Sequence, residues 1–390
     1  MLNYRALITA TLLVFAFNWT NANQVFVDSI EQDTVASSNH RNIFKKFLDY
    51  MGDNDNKDLE TKGLRFSALG GPYYNTDVKF GVALVGCATY RVKGCDSSVQ
   101  PSNTSAFGTI STAGFWTLGI DGTTFMPEDK SRLNYTVAVG YSPRNFWGIG
   151  YDNAINDSLK TKLRQNNIKI ETEYIVRILP NFYVGPSLLW NYNKAKDIDK
   201  MFLLDGMDMT VRNYGIGFTL QYDTRDLYTN ASRGVYVYLN TMFNPKFLWN
   251  KYDFTSIKFN TSYYHTAWKG AVIAGEITTN FNIGNPSWAS MALFGNNNTM
   301  RGYYKGQFRD KHMTTAQVEL RQHVWRRNGL VLWAGFGKVF HDWDSFKAHT
   351  LPNYGIGYRW EFRRKMNIRL DLGFGAHGSS GFTFSMNEAF

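Results

Sequence analysis

The sequence predicts an all-β protein, a transmembrane antiparallel β-barrel of about sixteen strands with a short N-terminal periplasmic helix. Three observations predict it. Aromatic residues make up 16% of the 390 residues and charged residues only 19%, where a soluble protein has about a quarter charged. From Gly63 onward, long runs alternate between apolar and polar residues, which is the period of a β-strand. Mean hydropathy is −0.34, and beyond the amino terminus no apolar run approaches the ~20 residues that a spanning helix needs.

Residues 1–22 are predicted to be a secretory signal peptide. Arg5 precedes an apolar run, residues 6–17, and the segment ends in Thr20-Asn21-Ala22 with small residues at the positions that a signal peptidase reads. The alternative is a single N-terminal anchor.

Residues 23–62 are predicted to be a periplasmic helical extension. Ser38 or Asn39 can cap a helix that stops at Gly52 and carries its apolar residues on one stripe. This helix either packs against the next domain or, being basic and amphipathic, lies on a membrane or fills the mouth of a barrel.

The barrel itself is predicted for residues 63–390, from runs of period two. In 314–325 the even positions include Ala316, Val318 and Leu320, while the odd positions from 315 to 323 are polar. Such runs reach the ~9–11 residues that a tilted strand needs to cross the hydrocarbon layer, against ~5–6 in soluble sheets. The predicted strands are 63–70, 78–92, 105–112, 115–126, 131–142, 166–179, 182–195, 213–224, 234–244, 252–266, 270–283, 314–326, 329–340, 353–363, 366–376 and 381–390.

The links between these strands predict the orientation. From the fifth strand onward they mostly alternate between long and short, as extracellular loops and periplasmic turns do in outer-membrane barrels. Both ends of the barrel are therefore expected in the periplasm. Two early links depart from the rule, since 93–104 is long on the periplasmic side and 113–114 is tight on the outer side.

The last predicted strand, 381–390, ends at Phe390, in phase with outward-facing Phe382, Phe384 and Met386. A C-terminal aromatic on an amphipathic final strand resembles the signal by which the outer-membrane insertion machinery recognises its clients.

Two sequence motifs resemble a known family. The run Met300-Arg301-Gly302-Tyr303 within residues 293–310 resembles the V-R-G-F/Y core of the sixth extracellular loop in the BamA/TamA superfamily, also called the bacterial surface antigen family. Its mid-barrel Y-D-x-R-D … G signature is matched by Tyr222, Asp223, Arg225, Asp226 and Gly234. The resemblance covers roughly residues 214–390. It implies that the loop folds into the lumen and that Arg301 bonds to an acidic residue of the inner wall.

The expected partner of Arg301 departs from the family pattern. Gly335 stands where the family usually carries an aspartate on the thirteenth strand, so we nominate Glu319 or Asp371, both lumen-facing by parity. A guanidinium that leaves water needs a carboxylate with good geometry to offset its desolvation. The alternative is a solvated loop arginine.

The resemblance implies a non-enzymatic role in outer-membrane biogenesis, the insertion or translocation of proteins or lipids through a weak seam between the first and last strands. The 40 residues of segment 23–62 are too few for a periplasmic POTRA domain, so the chain resembles the truncated members. The alternative is a passive or substrate-specific channel or a surface structural protein. The expected partners are outer-membrane lipid and lipopolysaccharide, the outer-membrane assembly machinery, and periplasmic or lipoprotein partners in a Gram-negative cell.

Other chemistry is sparse. No P-loop, G-x-S-x-G, H-E-x-x-H or zinc-type spacing occurs, so no catalytic residue, metal or cofactor is predicted. Cys87 and Cys95 can form a disulfide only if the chain turns back after Arg91, because an extended strand would hold them ~26 Å apart. The net charge of +10 is not gathered in runs of Lys and Arg, which disfavours nucleic acid as a partner.

Overall fold

The computed structural model describes residues 64–75, 79–96, 99–227, 230–363 and 366–390. The predicted signal peptide and the predicted periplasmic extension lie outside these residues and stay predictions. Among the described residues, no helix combines the length and apolar character needed to cross a membrane.

The predicted fold class is confirmed, because sixteen long strands form one antiparallel sheet in barrel order. The short strands β12 and β13 form a separate hairpin within a loop. The strands are β1 (Leu64–Asn75), β2 (Lys79–Tyr90), β3 (Ser102–Ser111), β4 (Trp116–Phe125), β5 (Ser131–Phe146), β6 (Thr161–Leu179), β7 (Phe182–Lys196), β8 (Thr210–Asp223), β9 (Gly234–Asn244), β10 (Phe254–Trp268), β11 (Ala271–Gly284), β12 (Ala292–Leu293), β13 (Arg309–Asp310), β14 (His312–Trp325), β15 (Asn328–Phe340), β16 (Leu351–Arg363), β17 (Met366–Gly375) and β18 (Ser380–Met386).

The helices of the described part are short and lie in the links. Two are α-helices, α1 (Tyr151–Ile155) and α2 (Trp343–Ala348). The single-turn 3₁₀ helices are Pro127–Asp129, Asp157–Leu159, Met201–Leu204 and Lys246–Leu248.

Neighbouring strands pair over most of their length, except where the sheet closes. β1 pairs with β2 through twelve residue pairs, and β17 pairs with β18 through seven. β1 meets β18 at a single pair, Asn75 with Thr383. The barrel therefore has one weak seam, between its first and last strands.

The two faces of the sheet have opposite polarity. On β14, Val318 is exposed while its neighbours Glu319 and Arg321 are buried; on β17, Leu372 is exposed and Asp371 is buried. Successive side chains of a strand point to opposite faces, so apolar residues form the outer surface and charged residues line the lumen. An apolar exterior around a polar interior is the arrangement of a transmembrane barrel.

Exposed aromatic side chains lie towards the ends of several strands, namely Tyr174, Tyr222, Trp325 and Tyr354. Tyrosine and tryptophan favour the membrane–water interface because one end of the side chain is apolar and the other polar. The high aromatic content therefore has a location in the fold.

The long strands on one side extend beyond their predicted limits. β6 begins at Thr161, five residues before the predicted start, and β5 continues to Phe146. The extra residues are stabilised inside the mouth of the barrel at its long-loop end, where Phe146 and Leu163 belong to a buried apolar cluster. The sequence pattern alone does not reveal this extension, because two of its inward residues, Phe146 and Leu163, are apolar where the pattern requires polar side chains.

The prediction that the last strand runs to Phe390 is wrong, since β18 ends at Met386. Asn387 has a φ of 61°, a left-handed conformation that breaks the strand. Glu388 then turns inward, where its Oε2 accepts a hydrogen bond from Arg359 Nε at 2.8 Å. Pairing with a buried cation offsets the cost of leaving the strand.

Phe390 therefore does not continue the outward row of Phe382. Its ring packs against Tyr264, with centroids 6.4 Å apart, and its backbone oxygen accepts from Arg321 Nη2 at 2.7 Å. Phe382 is exposed on the outer face. The insertion signal assigned to Phe382, Phe384 and Phe390 stays a prediction.

Cys87 and Cys95 are free cysteines in the structure, so the disulfide considered from sequence does not form here. Cys87 lies within β2, with its Sγ 3.4 Å from Ser105 Oγ of β3. Cys95 lies in the following link, with its Sγ 3.6 Å from the carbonyl oxygen of Phe125. The returning strand β3 places Ser105, not Cys95, opposite Cys87.

Candidate functional site

The loop between β11 and β14, residues 285–311, folds into the barrel. The β12–β13 hairpin forms its base, with Ala292 paired to Asp310 and Leu293 to Arg309. Beyond this hairpin the apolar side chains of the loop join those of the wall in one buried cluster. Its loop members are Ala292, Phe294, Met300, Tyr303 and Phe308, and its members on strands of the barrel are Met313, Val339 and Leu351.

Two tight turns bring the centre of this loop onto the wall. Asn296 Oδ1 accepts hydrogen bonds from the N–H groups of Asn298 at 2.7 Å and Thr299 at 2.8 Å, which makes an Asx turn. Gly302 has a φ of 107°, and a Cβ built on it would lie 2.6 Å from the carbonyl carbon of Gly373. Because residues 302 and 373 are both glycine, the loop backbone can touch β17.

Arg301 is buried at this contact, with 1% of its side chain exposed and both of its carboxylate partners fully buried. Its Nη1 donates to Asp371 Oδ2 at 2.7 Å and its Nη2 donates to Glu319 Oε2 at 2.5 Å. The two residues that the sequence offered as alternatives thus lie beside Arg301 together. The planar fork of a guanidinium has donors enough to reach two carboxylates at once.

Two further contacts of Arg301 were not predicted from the sequence. Its guanidinium carbon lies 3.6 Å from the centroid of the Trp333 ring, a cation–π contact. Asn353 Nδ2 donates to the carbonyl oxygen of Arg301, while Asn353 Oδ1 accepts from Trp333 Nε1 at 2.9 Å. Trp333 lies two residues before Gly335, so an aromatic face occupies this part of β15 where the family carries an aspartate. The alternation of side chains along a strand was the available signal, because Trp333 and Asn353 both fall on inward positions of predicted strands.

A wider ion-pair network surrounds this contact. Glu319 Oε1 accepts from Arg321 Nε at 2.9 Å, and Asp371 Oδ1 accepts from Arg359 Nη1 at 2.6 Å. Arg369 donates to Asn298 Oδ1 at 2.9 Å and therefore also holds the loop. The network comprises four arginines and three carboxylates, namely Arg301, Arg321, Arg359, Arg369, Glu319, Asp371 and Glu388. Its formal charge is one positive unit.

Hydrogen bonds outside this ion-pair network add to the attachment of the loop. Gln317 Nε2 donates to Glu276 Oε2 at 2.6 Å and to Asn298 O at 3.2 Å. Thr299 Oγ1 donates to the same Glu276 oxygen at 3.3 Å. The loop is thus bound to β11 and β14 as well as to β16 and β17.

Tyr303 completes the contact at the outer side. Its hydroxyl donates to Pro352 O at 2.5 Å and accepts from the Ala376 N–H at 2.7 Å. Burial raises the pKa of Tyr303 to about 12, so the hydroxyl stays protonated and able to donate. Its ring meets Phe294 edge to face, with centroids 5.0 Å apart.

The residues of the mid-barrel signature form a turn on the predicted periplasmic side. Asp223 accepts two hydrogen bonds from the Arg225 guanidinium, at 3.0 and 2.8 Å. Asp226 Oδ1 accepts from the Ser232 N–H at 2.9 Å. Gly234 has a φ of 112°, and a Cβ there would strike Thr224 O. These residues hold the β8–β9 link in shape.

A polar cavity of about 400 Å³ opens beside this turn. Charged residues of two links and three strands line it, including Asp129 and Arg225 of the links and Arg132, Arg177 and Asp223 of β5, β6 and β8. Arg132 pairs with Asp129 at 2.7 Å and Arg225 with Asp223 at 2.8 Å, so most of the lining charge is internally compensated.

The arrangement joins a loop to the wall of the barrel. Within the described ranges, no three His, Cys, Asp or Glu side chains are grouped so that they could hold a metal ion. What the site can do physically is brace β14 to β17.

Comparison with known proteins agrees with this geometry. A family model described as the Omp85 superfamily domain matches residues 116–390. No curated protein matches the chain.

Several solved outer-membrane barrels share the fold. BamA from Haemophilus ducreyi lacking POTRA domains 1-3 aligns with a TM-score of 0.56 at 11% identity, covering 83% of this chain and 70% of that one. CdiB from Escherichia coli aligns with a TM-score of 0.53 at 8% identity, covering 83% of this chain and 63% of that one. CdiB from Acinetobacter baumannii aligns with a TM-score of 0.51 at 8% identity, covering 83% of this chain and 59% of that one. The chain thus spans less than two thirds of either CdiB, and at these identities the likeness is one of fold.

Proposed function

The chain belongs to the Omp85 superfamily, and from this premise we propose that it acts in the biogenesis of a Gram-negative outer membrane. In this proposal the barrel lies in that membrane and inserts or translocates proteins or lipids without enzymatic chemistry. The observation that carries the proposal is the single residue pair between β1 and β18.

The seam offers backbone groups to an incoming strand. β1 has twelve residues, and only Asn75 has a partner on the β18 side among the described residues. An unsatisfied backbone N–H or C=O costs several kcal/mol in hydrocarbon. A client strand that paired with this edge would remove that cost, which is the principle of β-augmentation.

The rest of the wall near the seam is braced. Through Glu319, Trp333, Arg359 and Asp371, the Arg301 network joins four consecutive strands, β14 to β17. Opening at the seam leaves this network intact, whereas opening between any two of these strands would separate buried charges. The loop site therefore favours the seam as the place where the barrel opens.

A reversible lock across the seam tests the proposal. Asn75 and Thr383 are register partners, and facing residues in an antiparallel pair lie within reach of a disulfide. The double substitution Asn75→Cys and Thr383→Cys is made in a background with Cys87→Ser and Cys95→Ser. The matched control is Thr109→Cys with Thr117→Cys, register partners in the closed β3–β4 pair.

Each variant is reconstituted in lipid vesicles and given an unfolded outer-membrane barrel, whose insertion is read as a compact, heat-modifiable band. We expect the oxidised seam variant to lose the acceleration of insertion, its reduction to restore it, and the control to be unaffected by oxidation. Equal insertion by the locked and reduced seam would contradict the proposal.

Partners are proposed from the same premise. We expect outer-membrane lipid and lipopolysaccharide around the barrel, and assembly-machinery proteins, periplasmic proteins or lipoproteins at its periplasmic turns. Crosslinking in intact outer membranes, followed by purification of the complex, should trap nascent barrels or such partners. Recovery of the barrel alone would count against an assembly role.

The alternative is a passive or substrate-specific channel. It is disfavoured by the packing of two extracellular loops into the outer mouth, where Ile198, Leu204 and Trp288 join Phe146 and Leu163 in a buried cluster. Large steady single-channel currents in planar bilayers, without trapped clients, would support the channel instead.

A further inference from the structure

A group of basic side chains lies on the outside of the barrel at the outer ends of three adjacent strands. It comprises Lys162 and Arg164 of β6, Lys194 and Lys196 of β7, and Arg212 of β8, and we call it the outer basic patch. All five side chains are exposed. We propose that this patch binds the phosphate groups of a lipopolysaccharide molecule in the outer leaflet.

The direction of these side chains follows from their neighbours. Leu163 and Gln165 on β6, Ala195 on β7 and Val211 on β8 are buried inside the barrel mouth. Because side chains alternate across a strand, the residues between them point to the outside. The five cations are thus on the surface that faces the membrane and not on the lumen wall.

The position of these cations along the barrel axis places them at the membrane boundary. On the same outward face, Ile170 of β6, Leu188 of β7 and Ile216 of β8 are exposed and apolar, as a lipid-facing band requires. The basic residues follow this band toward the long loops 147–160 and 197–209, which are the predicted extracellular links. The patch therefore lies where lipid headgroups begin.

The cations are close together and poorly compensated. Arg164 and Lys196 are direct register partners, an arrangement in which like charges repel. One ion pair is present, between Arg164 and Asp197 at 3.0 Å, and both of its side chains are half or more exposed. Lys162, Lys194, Lys196 and Arg212 have no ion pair within the part of the chain that the structure describes. An anionic ligand would relieve this repulsion.

Charge and chemistry single out the occupant. Adjacent strands lie about 5 Å apart, so the patch presents several ammonium and guanidinium groups to a single lipid molecule. Arginine and lysine are the usual donors to phosphate oxygens. Tyr192 is the register partner of Arg212, whose guanidinium carbon lies 5.8 Å from its ring, and it adds an amphipathic surface at the same level. In an outer membrane, the phosphorylated lipid of the outer leaflet, whose headgroups lie at the level of the patch, is lipopolysaccharide.

The other side of the barrel differs at the same level. The outward residues at the outer ends of β14, β15 and β16 include the uncharged Thr314, Phe336 and Tyr354. Lys338 of β15 lies opposite Thr314, but its Nζ donates to the carbonyl oxygen of Phe346 at 2.8 Å and it has no cationic register partner. A general attraction to anionic lipid would not need such asymmetry. The inference uses the proposed outer-membrane location but not the proposed insertion activity.

The residues of the outer basic patch are far apart along the chain, which explains why the sequence did not reveal it. Its members lie in three segments more than ten residues apart, and each segment alone has only one or two cations. Only pairing of β6, β7 and β8 brings them together.

The test measures binding of purified, rough-type lipopolysaccharide to the full barrel in detergent micelles. The variant Arg164→Gln, Lys194→Gln, Lys196→Gln removes three patch charges. Its matched control is Lys269→Gln, Arg326→Gln, Arg327→Gln, which removes three exposed cations from the predicted periplasmic turns. A second control, Arg164→Lys, Lys194→Arg, Lys196→Arg, keeps the charge.

We expect binding to the neutralised variant to fall by about a hundredfold, since each basic residue near an anionic surface contributes about fivefold and three are removed. Both controls should bind like the unmodified protein, and affinity should fall with salt. All variants should keep a compact, heat-modifiable band, because the altered side chains are outside the core.

Two further probes identify the ligand chemistry. Lipopolysaccharide whose lipid part has been dephosphorylated should bind weakly, and phosphatidylglycerol should bind no better to the unmodified protein than to the neutralised variant. The proposal is overturned if the neutralised variant keeps its affinity, if the dephosphorylated lipid binds equally well, or if the periplasmic control loses as much. Failure of the seam lock to stop insertion would leave this result untouched.

Discussion

The ion-pair network around Arg301 makes an asymmetric prediction about charge removal. With four arginines and three carboxylates, Arg301→Ala leaves three of each sign. Glu319→Gln leaves four arginines facing two carboxylates. We therefore expect the loss of Glu319 to destabilise the barrel more than the loss of Arg301, although Arg301 carries the motif.

The expected magnitudes follow from the buried geometry. Removing one partner of a buried ion pair costs about 3–5 kcal/mol, mainly because a charge stays buried without compensation. For Arg301→Ala the remaining charges balance, so we expect the low end, about 3 kcal/mol, including the lost contact with Trp333. For Glu319→Gln we expect the high end, about 5 kcal/mol.

The assay is urea unfolding of the barrel in lipid vesicles, followed by tryptophan fluorescence and by loss of the compact, heat-modifiable band. With a urea dependence of about 3 kcal/mol per molar, the midpoint should fall by about 1 M for Arg301→Ala and by about 1.7 M for Glu319→Gln. Glu171→Gln is the matched control, because Glu171 is a lumen carboxylate outside this network, paired with Lys169 and Lys258.

The control should shift the midpoint less than either variant, and Arg301→Ala should still reach the outer membrane in normal amounts. An unchanged midpoint for Arg301→Ala, or a smaller effect of Glu319→Gln than of Arg301→Ala, would refute the reasoning.

Three further outcomes follow from the loop and the turn. Gly373→Ala should displace the loop and cost about 1–3 kcal/mol, because the added Cβ would strike the carbonyl oxygen of Arg301. The control Gly275→Ala should leave the stability unchanged, since the nearest atom to its Cβ is 3.8 Å away. The urea midpoints of the two variants distinguish these outcomes. Tyr303→Phe should cost about 1–2 kcal/mol in the same assay, and increased protease cleavage within 285–311 would report the loosened loop. Asp226→Ala should expose the β8–β9 link to protease without changing the urea midpoint by more than about 0.5 M, and an uncleaved link would count against its role in that turn.

Strand positions were predictable because the signal is local. An outward residue and an inward residue follow each other along the chain, so Val318 and Glu319 differ in polarity whatever their neighbours are. The same parity put Glu319 and Asp371 on the lumen side, where both meet Arg301. Parity, however, does not say whether one or both of them reach the guanidinium.

The contacts that complete the site were not predictable in this way. Trp333 reaches Arg301 because β15 is the neighbour of β14, and Glu388 joins the network because the chain turns inward after Met386. The second case contradicted the expectation of a strand to Phe390, since pairing with a buried arginine outweighed the continuation of an amphipathic pattern.

The sequence by itself determined that the chain forms long, two-faced strands in sufficient number for a barrel, and it placed Arg301 in a loop of recognisable composition. Only the tertiary structure decided that the loop bears on four strands at once, that the sheet closes through one pair, and that five cations meet on the outer face of β6, β7 and β8. The physical reason is that polarity along one strand depends on adjacent residues, whereas charge neighbours across strands depend on register, and register arises when the whole sheet assembles.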